Sequence, residues 1–72
     1  MTYRKEEVYM MDCDETTIMI IGISDNDEWE IYYRRPHYAF QYVFGLPYWK
    51  HNIGEAFEIA MSNIKQYRHI FD

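Results

Sequence analysis

The sequence predicts an α+β fold, in which a small antiparallel sheet carries a long C-terminal helix on one face. From Asn52 to Phe71, apolar residues recur at three- and four-residue steps, which places them on one side of a helix. Before that stretch, β-branched and aromatic runs are separated by acidic turn residues, as in a strand meander. At 72 residues, the chain is expected to form a single domain spanning residues 1–72.

Three strands are predicted in chain order. The first covers residues 3–11, although its Glu, Lys and Met residues also allow a helix over residues 5–11. The second covers residues 16–24 and is apolar on both faces, so we expect it in the middle of the sheet. The third covers residues 28–33 and alternates, with Trp29 expected at the centre of the core.

The same alternation predicts which residues lie on the sheet face away from the helix. These are Glu30, Tyr32, Arg34, Ile18 and Ile20. Gly22 is expected to mark a bulge or the close approach of the helix, since it removes a side chain from an otherwise full strand. The run from Asp25 to Asp27 predicts a hairpin turn, because Asn and Asp tolerate left-handed backbone.

Residues 36–45 allow two interpretations. Aromatic residues alternate from Tyr38 to Phe44, which predicts a fourth strand, but the residues before them include no Gly, Asn or Asp for a tight hairpin. Pro36 suits the first position of a helix, and Gly45 suits the residue just past its end. We therefore expect a short helix here, with a fourth strand as the alternative.

The predicted C-terminal helix begins after Asn52, because Asn52 and Glu55 have the spacing of a capping box. Its apolar face needs a surface to cover, and the sheet is the available one. The residues of that face are Ile53, Ala56, Phe57, Ala60, Ile64, Tyr67 and Phe71.

Charge is distributed unevenly along the chain. Residues 1–30 hold nine acidic and two basic residues, whereas residues 31–72 hold three acidic and five basic ones, for a net charge of −5. A predominantly acidic sheet argues against direct binding of nucleic-acid phosphates and favours a basic protein partner. A single cysteine, Cys13, and the lack of a signal peptide or a membrane-spanning apolar run predict a cytoplasmic protein.

Catalytic and metal-binding chemistry is not predicted. The available nucleophiles and bases are Ser24, Ser62, Cys13, His37, His51 and His69. Their spacing does not bring a nucleophile, a base and an orienting group together, so no enzyme activity is expected. The acidic turns lack the central Gly of a calcium loop, and no Gly-rich phosphate loop is present, so no metal or cofactor is expected either.

Two features point to protein binding. Carboxylates cluster at both hairpin ends, about 27 Å apart for an eight-residue strand. The chain also contains eight Tyr, two Trp and four Phe, more than one small core holds, and exposed Tyr and Trp are frequent interface anchors. The predicted partner-binding residues are Asp12, Asp14, Glu15, Asp25, Asp27, Glu28, Glu30, Tyr48 and Trp49.

In size, acidity and lack of catalytic residues, the whole chain is similar to small acidic phage proteins that block host defence, such as anti-CRISPR and anti-restriction inhibitors. This resemblance is one of profile and carries over no functional residue. It implies a non-enzymatic inhibitor whose carboxylates block a basic, nucleic-acid-binding surface of its target. The alternative is a small structural or regulatory domain that forms a homodimer through an open sheet face or an edge strand.

Overall fold

The computed structural model describes residues 6–23, 25 and 27–71. The elements in chain order are β1 (Glu6–Cys13), β2 (Thr16–Ile23), β3 (Glu28–Arg34), β4 (Gln41–Pro47), α1 (Ile53–Ser62) and a 3-10 helix (Arg68–Phe71). The four strands form one antiparallel sheet in the order β1-β2-β3-β4. The α+β class is therefore confirmed, and β2 lies inside the sheet as predicted. The expected residues 3–5 of the first strand, and Ser24 and Asn26 of the second hairpin, lie outside the described residues.

The short helix favoured for residues 36–45 is wrong, and the alternative fourth strand is correct. The chain reverses through a wider connection than a tight hairpin, in which the Tyr38 N–H donates to the Arg35 carbonyl at 3.0 Å. His37 takes the left-handed position with φ of 71°. His is among the few non-Gly residues enriched there, so the turn does not need the Gly, Asn or Asp that the sequence lacks.

β4 contains an irregularity that decides which of its aromatic residues face the helix. Ile31 of β3 is opposite Phe44, whereas the next residue, Tyr32, is opposite Tyr42, so Val43 is an extra residue on β4. Without this bulge, Tyr42 and Phe44 would point to the same side of the sheet. With it, the Phe44 ring stacks on Tyr67 on the helix side, and the Tyr42 ring meets Tyr32 on the other side.

The predicted C-terminal helix extends too far along the chain. α1 begins as expected, with the complete capping box between Asn52 and Glu55, but it ends at Ser62. At that end, the Ser62 hydroxyl and the Asn63 side-chain amide both donate to the Ile59 carbonyl, at 2.9 and 2.8 Å. Such local side-chain bonds compete with the next helical turn. The chain then continues in i→i+3 turns to the 3-10 helix, so Phe71 is still buried against the sheet.

The core lies between the sheet and α1. Its buried residues are Ile18, Ile20, Trp29, Ile31, Tyr33, Ala56, Ala60 and Phe71. Ile18 and Ile20, both fully buried, are therefore on the helix side, and their predicted place on the opposite face is wrong. Because β2 is apolar on both sides, its alternation alone does not say which side the helix covers. The register with β3 does, since Ile18 is opposite Tyr33 and Ile20 is opposite Ile31.

Trp29 occupies the central position predicted for it, at 4% exposure. Its indole N–H donates to the His51 carbonyl at 2.8 Å, and the Tyr48 ring stacks on it at 4.5 Å between centroids. The opposing residue on β2 is Gly22, where a Cβ would lie 2.5 Å from a Trp29 ring carbon. Gly22 is thus explained by close approach of the indole rather than of the helix.

Candidate functional site

The sheet has one face under α1 and one face that no described helix covers. We call the apolar part of the second face the open face. Its partly or largely exposed members are Val8, Met10, Met19, Ile21, Tyr32 and Tyr42; Ile23 lies on the same side but is buried, at 5% exposure. Val8, Met10 and Tyr42 are each more than half exposed, at 52%, 56% and 53%. An exposed apolar patch that spans all four strands is typical of an interaction surface, whereas single exposed apolar residues are ordinary.

The strand register arranges the open face as a continuous row. Met10 of β1 is opposite Met19 of β2, which is opposite Tyr32 of β3, which is opposite Tyr42 of β4. The β4 bulge places Tyr42 at the end of this row, where its ring makes an edge contact with the Tyr32 ring at 5.6 Å between centroids. A flexible Met pair beside a rigid Tyr pair gives a surface that adapts to a partner at one end and anchors it at the other.

Carboxylates border this row on the side of the second hairpin. The Tyr32 hydroxyl donates to the Glu30 carboxylate at 2.9 Å. Partial burial raises the pKa of Tyr32, and the Glu30 hydrogen bond and the negative charges of Glu30 and Glu6 raise it further. Partial burial also raises the pKa of Tyr42, with the charges of Glu28 and Glu30 adding to the effect. Glu30 therefore raises the pKa of both tyrosines of the open face, while Glu6 acts on Tyr32 and Glu28 on Tyr42.

The opposite border of the row is less acidic. The Thr17 hydroxyl donates to the Asp12 carboxylate at 2.8 Å, and the Arg34 guanidinium lies over the Phe40 ring at 4.6 Å. Arg34 is opposite Thr17 in the register, so an acid and a cation flank the row here. The negative charge of the open face is thus concentrated at its Glu6 and Glu28 end.

Both hairpin ends were predicted to carry clustered carboxylates, but they differ in how much of that charge is offset. At the first, Asp14 is exposed in the left-handed region with φ of 58°, and Glu15 forms an ion pair with Arg35 at 2.6 Å. Lys65 and Arg68 line the same cleft as these acids. The C-terminal segment and the β3–β4 connection therefore bring three cations to the first acidic end, which offsets much of its charge.

The second hairpin end keeps its negative charge. Asp25 and Asp27 are exposed, and Asp27 takes the left-handed position with φ of 51° while its carbonyl accepts the Tyr48 N–H at 2.9 Å. Within the described ranges, no Lys or Arg nitrogen lies within 4.0 Å of a carboxylate oxygen of Asp25, Asp27 or Glu28. These acids lie at the same end of the sheet as Glu6, which is paired with Ile23 on β2.

The two predicted aromatic anchors also differ. Tyr48 is half-buried, and one side of its ring is already taken by the Trp29 indole. Trp49 is 78% exposed, the most exposed large apolar side chain among the residues with described placement. The two neighbours have different environments because Tyr48 closes the core above Gly22 while Trp49 points away from it.

Several residues of the open face were missing from the predicted set, namely Val8, Met10, Met19, Ile21, Tyr32, Tyr42 and Glu6. The sequence signal for β1 was weak, because the four consecutive apolar residues at positions 8–11 do not show which of them face away from the helix. Tyr42 had no such signal, because its side depends on the bulge at Val43.

Among residues 6–23, 25 and 27–71, no three His, Cys, Asp or Glu side chains are grouped to hold a metal ion. No described helix has the length and apolar character needed to cross a bilayer. Comparison of the chain with protein-family models, curated proteins and solved structures found no match.

Proposed function

We propose that this protein is a non-enzymatic binding protein that uses the open face, with its carboxylate border, to occupy a basic surface of another protein. The supporting observation is the combination on one face of an exposed apolar row and the carboxylates of Glu6, Glu28 and Glu30. Such a pairing of apolar centre and charged border is the usual composition of a transient protein interface.

The charge pattern favours a basic partner over a second copy of the chain. Among the described strand residues, Arg34 is the only cation on this face. Two open faces packed against each other would therefore leave most of their carboxylates without an opposite charge. A surface rich in Lys and Arg would instead form ion pairs with these carboxylates, while the Met and Tyr side chains of the open face bury apolar area against it. Self-association through this face is the alternative function and is tested in the same experiment.

A basic surface on another protein is often one that binds nucleic acid. Occupying it would exclude the nucleic acid, so inhibition by competition is the activity proposed for this face. In the proposed arrangement, the acids of the second hairpin, Asp25, Asp27 and Glu28, add to the negative border. Those of the first hairpin contribute less, because Arg35 and its neighbours offset them. A counter-defence role of the anti-CRISPR or anti-restriction kind would be one instance of this activity.

The experiment is affinity capture with immobilised wild-type protein and two variants, Met10→Lys on the open face and Trp49→Lys away from it. We expect wild type and Trp49→Lys to retain the same basic protein, and duplex DNA to displace that protein. Met10→Lys should retain about one tenth as much of it or less. Retention by Met10→Lys at the wild-type level would contradict the proposal. So would a concentration-dependent dimer, seen by light scattering, that Met10→Lys dissociates.

A further inference from the structure

A second candidate site lies on the covered side of the sheet, and it is independent of the proposed function. It is a cleft of about 480 Å³ between the first hairpin, the end of β3 and the C-terminal segment. Its lining residues are Asp14, Glu15, Thr16, Tyr33, Arg35, Ile64, Lys65, Arg68 and Phe71. Clefts of roughly 300–1,000 Å³ with an apolar lining and a few polar groups are the usual form of small-molecule sites.

The cleft separates apolar and cationic groups. Tyr33, Ile64 and Phe71 supply apolar surface, and the Tyr33 hydroxyl is already engaged as a donor to the Ala60 carbonyl. Tyr33 and Phe71 are themselves buried, at 1% and 8% exposure, whereas Ile64 is half-buried. A ligand would therefore reach Ile64 and the exposed edge of Phe71, with the Tyr33 ring packed behind them. A second hollow of about 410 Å³ adjoins the cleft and shares Phe71 as a wall. The apolar surface thus extends beyond the cleft itself.

Cations gather at this cleft to a degree the composition does not predict. The net charge of the chain is −5, yet three of the five described Lys and Arg residues, Arg35, Lys65 and Arg68, line this one cleft. Arg35 is oriented by Glu15, whose carboxylate accepts from Nη2 at 2.6 Å. In the part of the chain that is described, no carboxylate oxygen lies within 4.0 Å of a Lys65 or Arg68 nitrogen. Three cations and two acids line the cleft, which gives it a net charge of +1. Because Arg35 is paired with Glu15, this positive charge lies with Lys65 and Arg68.

From this arrangement we infer that the cleft binds a small monoanion with an apolar body, such as a medium-chain carboxylate. The carboxylate would accept hydrogen bonds from Lys65 and Arg68, and the apolar body would lie on Ile64 and the exposed edge of Phe71. A charge-assisted contact with the carboxylate and burial of the ligand's apolar body would each be needed for affinity. Neither a bare anion nor a neutral amphiphile would satisfy both parts of the site.

Three probes separate charge from apolar body: octanoate, 1-octanol and acetate, each titrated into wild-type protein and followed by amide chemical shifts. We expect saturable shifts with octanoate at Thr16, Tyr33 and Ile64. The other two probes should bind at least about tenfold more weakly, since each lacks one part of the recognition. Equal affinity for 1-octanol, or shifts that cluster at Met10 and Tyr42, would overturn the inference.

A double variant and a single-charge control complete the test. Lys65→Gln with Arg68→Gln should weaken octanoate binding about tenfold, because the two direct contacts are lost. Lys50→Gln removes one positive charge from an exposed turn outside the cleft and should weaken binding by less than about twofold. These substituted residues lie on the surface, and an unchanged amide spectrum verifies the fold. If Lys50→Gln weakens binding as much as the double variant, or neither does, the cations of the cleft do not hold the carboxylate.

Discussion

The covered face and the open face of the sheet contain similar residue types but do different things. On the covered face, Trp29 and Tyr33 each combine burial with a hydrogen bond to a main-chain carbonyl, from His51 and Ala60. On the open face, Met10 and Tyr42 remain more than half exposed. The covered face therefore accounts for folding, and the apolar character of the open face needs another reason. The difference shows that an apolar strand pattern by itself does not separate core from interface.

Removing the central indole should produce the largest effect and would sharpen this contrast. Trp29→Ala leaves a cavity beside Tyr48 and Ile31 and should lower the free energy of unfolding by about 3–5 kcal/mol. The matched control is Trp49→Ala, which should change it by less than about 0.5 kcal/mol, because that side chain is 78% exposed. Chemical denaturation of both variants measures the difference. Similar losses at the two positions would mean that the covered face is not the folding core.

Gly22→Ala tests the close packing beneath that indole. The added methyl group would lie 2.5 Å from the Trp29 ring and 3.0 Å from the Tyr48 ring, so both must shift. We expect a loss of about 1–3 kcal/mol in denaturant unfolding. Gly54→Ala in α1 is the control, since its methyl group meets only the Asn52 side chain at 3.3 Å, and a change under about 1 kcal/mol is expected there. A neutral Gly22→Ala would show that the strand has room for a side chain.

Tyr33 provides a pH test of the covered face. Burial raises its pKa above the ordinary value of 10.0, and the nearby Tyr67 and Cys13 raise it further. The folded state thus favours the neutral phenol. Its contribution to the free energy of unfolding is therefore complete below pH 10.0 and is lost as the pH rises above that value. The loss should approach about 1.4 kcal/mol per pH unit in that window.

The variant for this test is Tyr33→Phe, with Tyr38→Phe as an exposed control. Tyr33→Phe should cost about 1 kcal/mol at neutral pH, because the Ala60 carbonyl loses its donor. It should also flatten the decline of stability above pH 10, and Tyr38→Phe should retain that decline. An unchanged alkaline profile in Tyr33→Phe would assign the decline to other tyrosines.

The smallest stability effect is expected on the open face. Met10→Lys should change the free energy of unfolding by less than about 0.5 kcal/mol, since its side chain is not part of the core cluster. Tyr42→Lys should cost about 0.5–1.5 kcal/mol, because it removes the ring contact with Tyr32. Thermal unfolding of the two variants checks this. A loss of more than about 2 kcal/mol would place the open face among the determinants of folding and remove the contrast between the two faces.

Much of the fold could be predicted from local patterns. The alternation in β2 and β3, the capping box at Asn52 and the apolar steps through Phe71 all have a direct physical basis in strand and helix geometry. The helix end at Ser62 was missed because apolar spacing continued through the i→i+3 turns that follow it.

The candidate site was harder to predict, since it depends on register and on contacts between distant segments. The place of Tyr42 on the open face follows from one bulge, and the side taken by Ile18 follows from its pairing with Tyr33. The charge at Glu15 is offset by Arg35, which lies 20 residues further along the chain. An acidic run in the sequence therefore does not establish an acidic surface.

The salt dependence of the captured complex tests the central claim most directly, because that claim joins carboxylates and apolar residues on the open face. Between about 50 mM and 500 mM NaCl, we expect the Kd of the wild-type complex to rise about tenfold or more as the ion pairs are screened. A triple variant, Glu6→Gln, Glu28→Gln and Glu30→Gln, should bind more weakly at low salt and lose most of that dependence. A Kd that is insensitive to salt, or a triple variant with the wild-type salt dependence, would contradict the account.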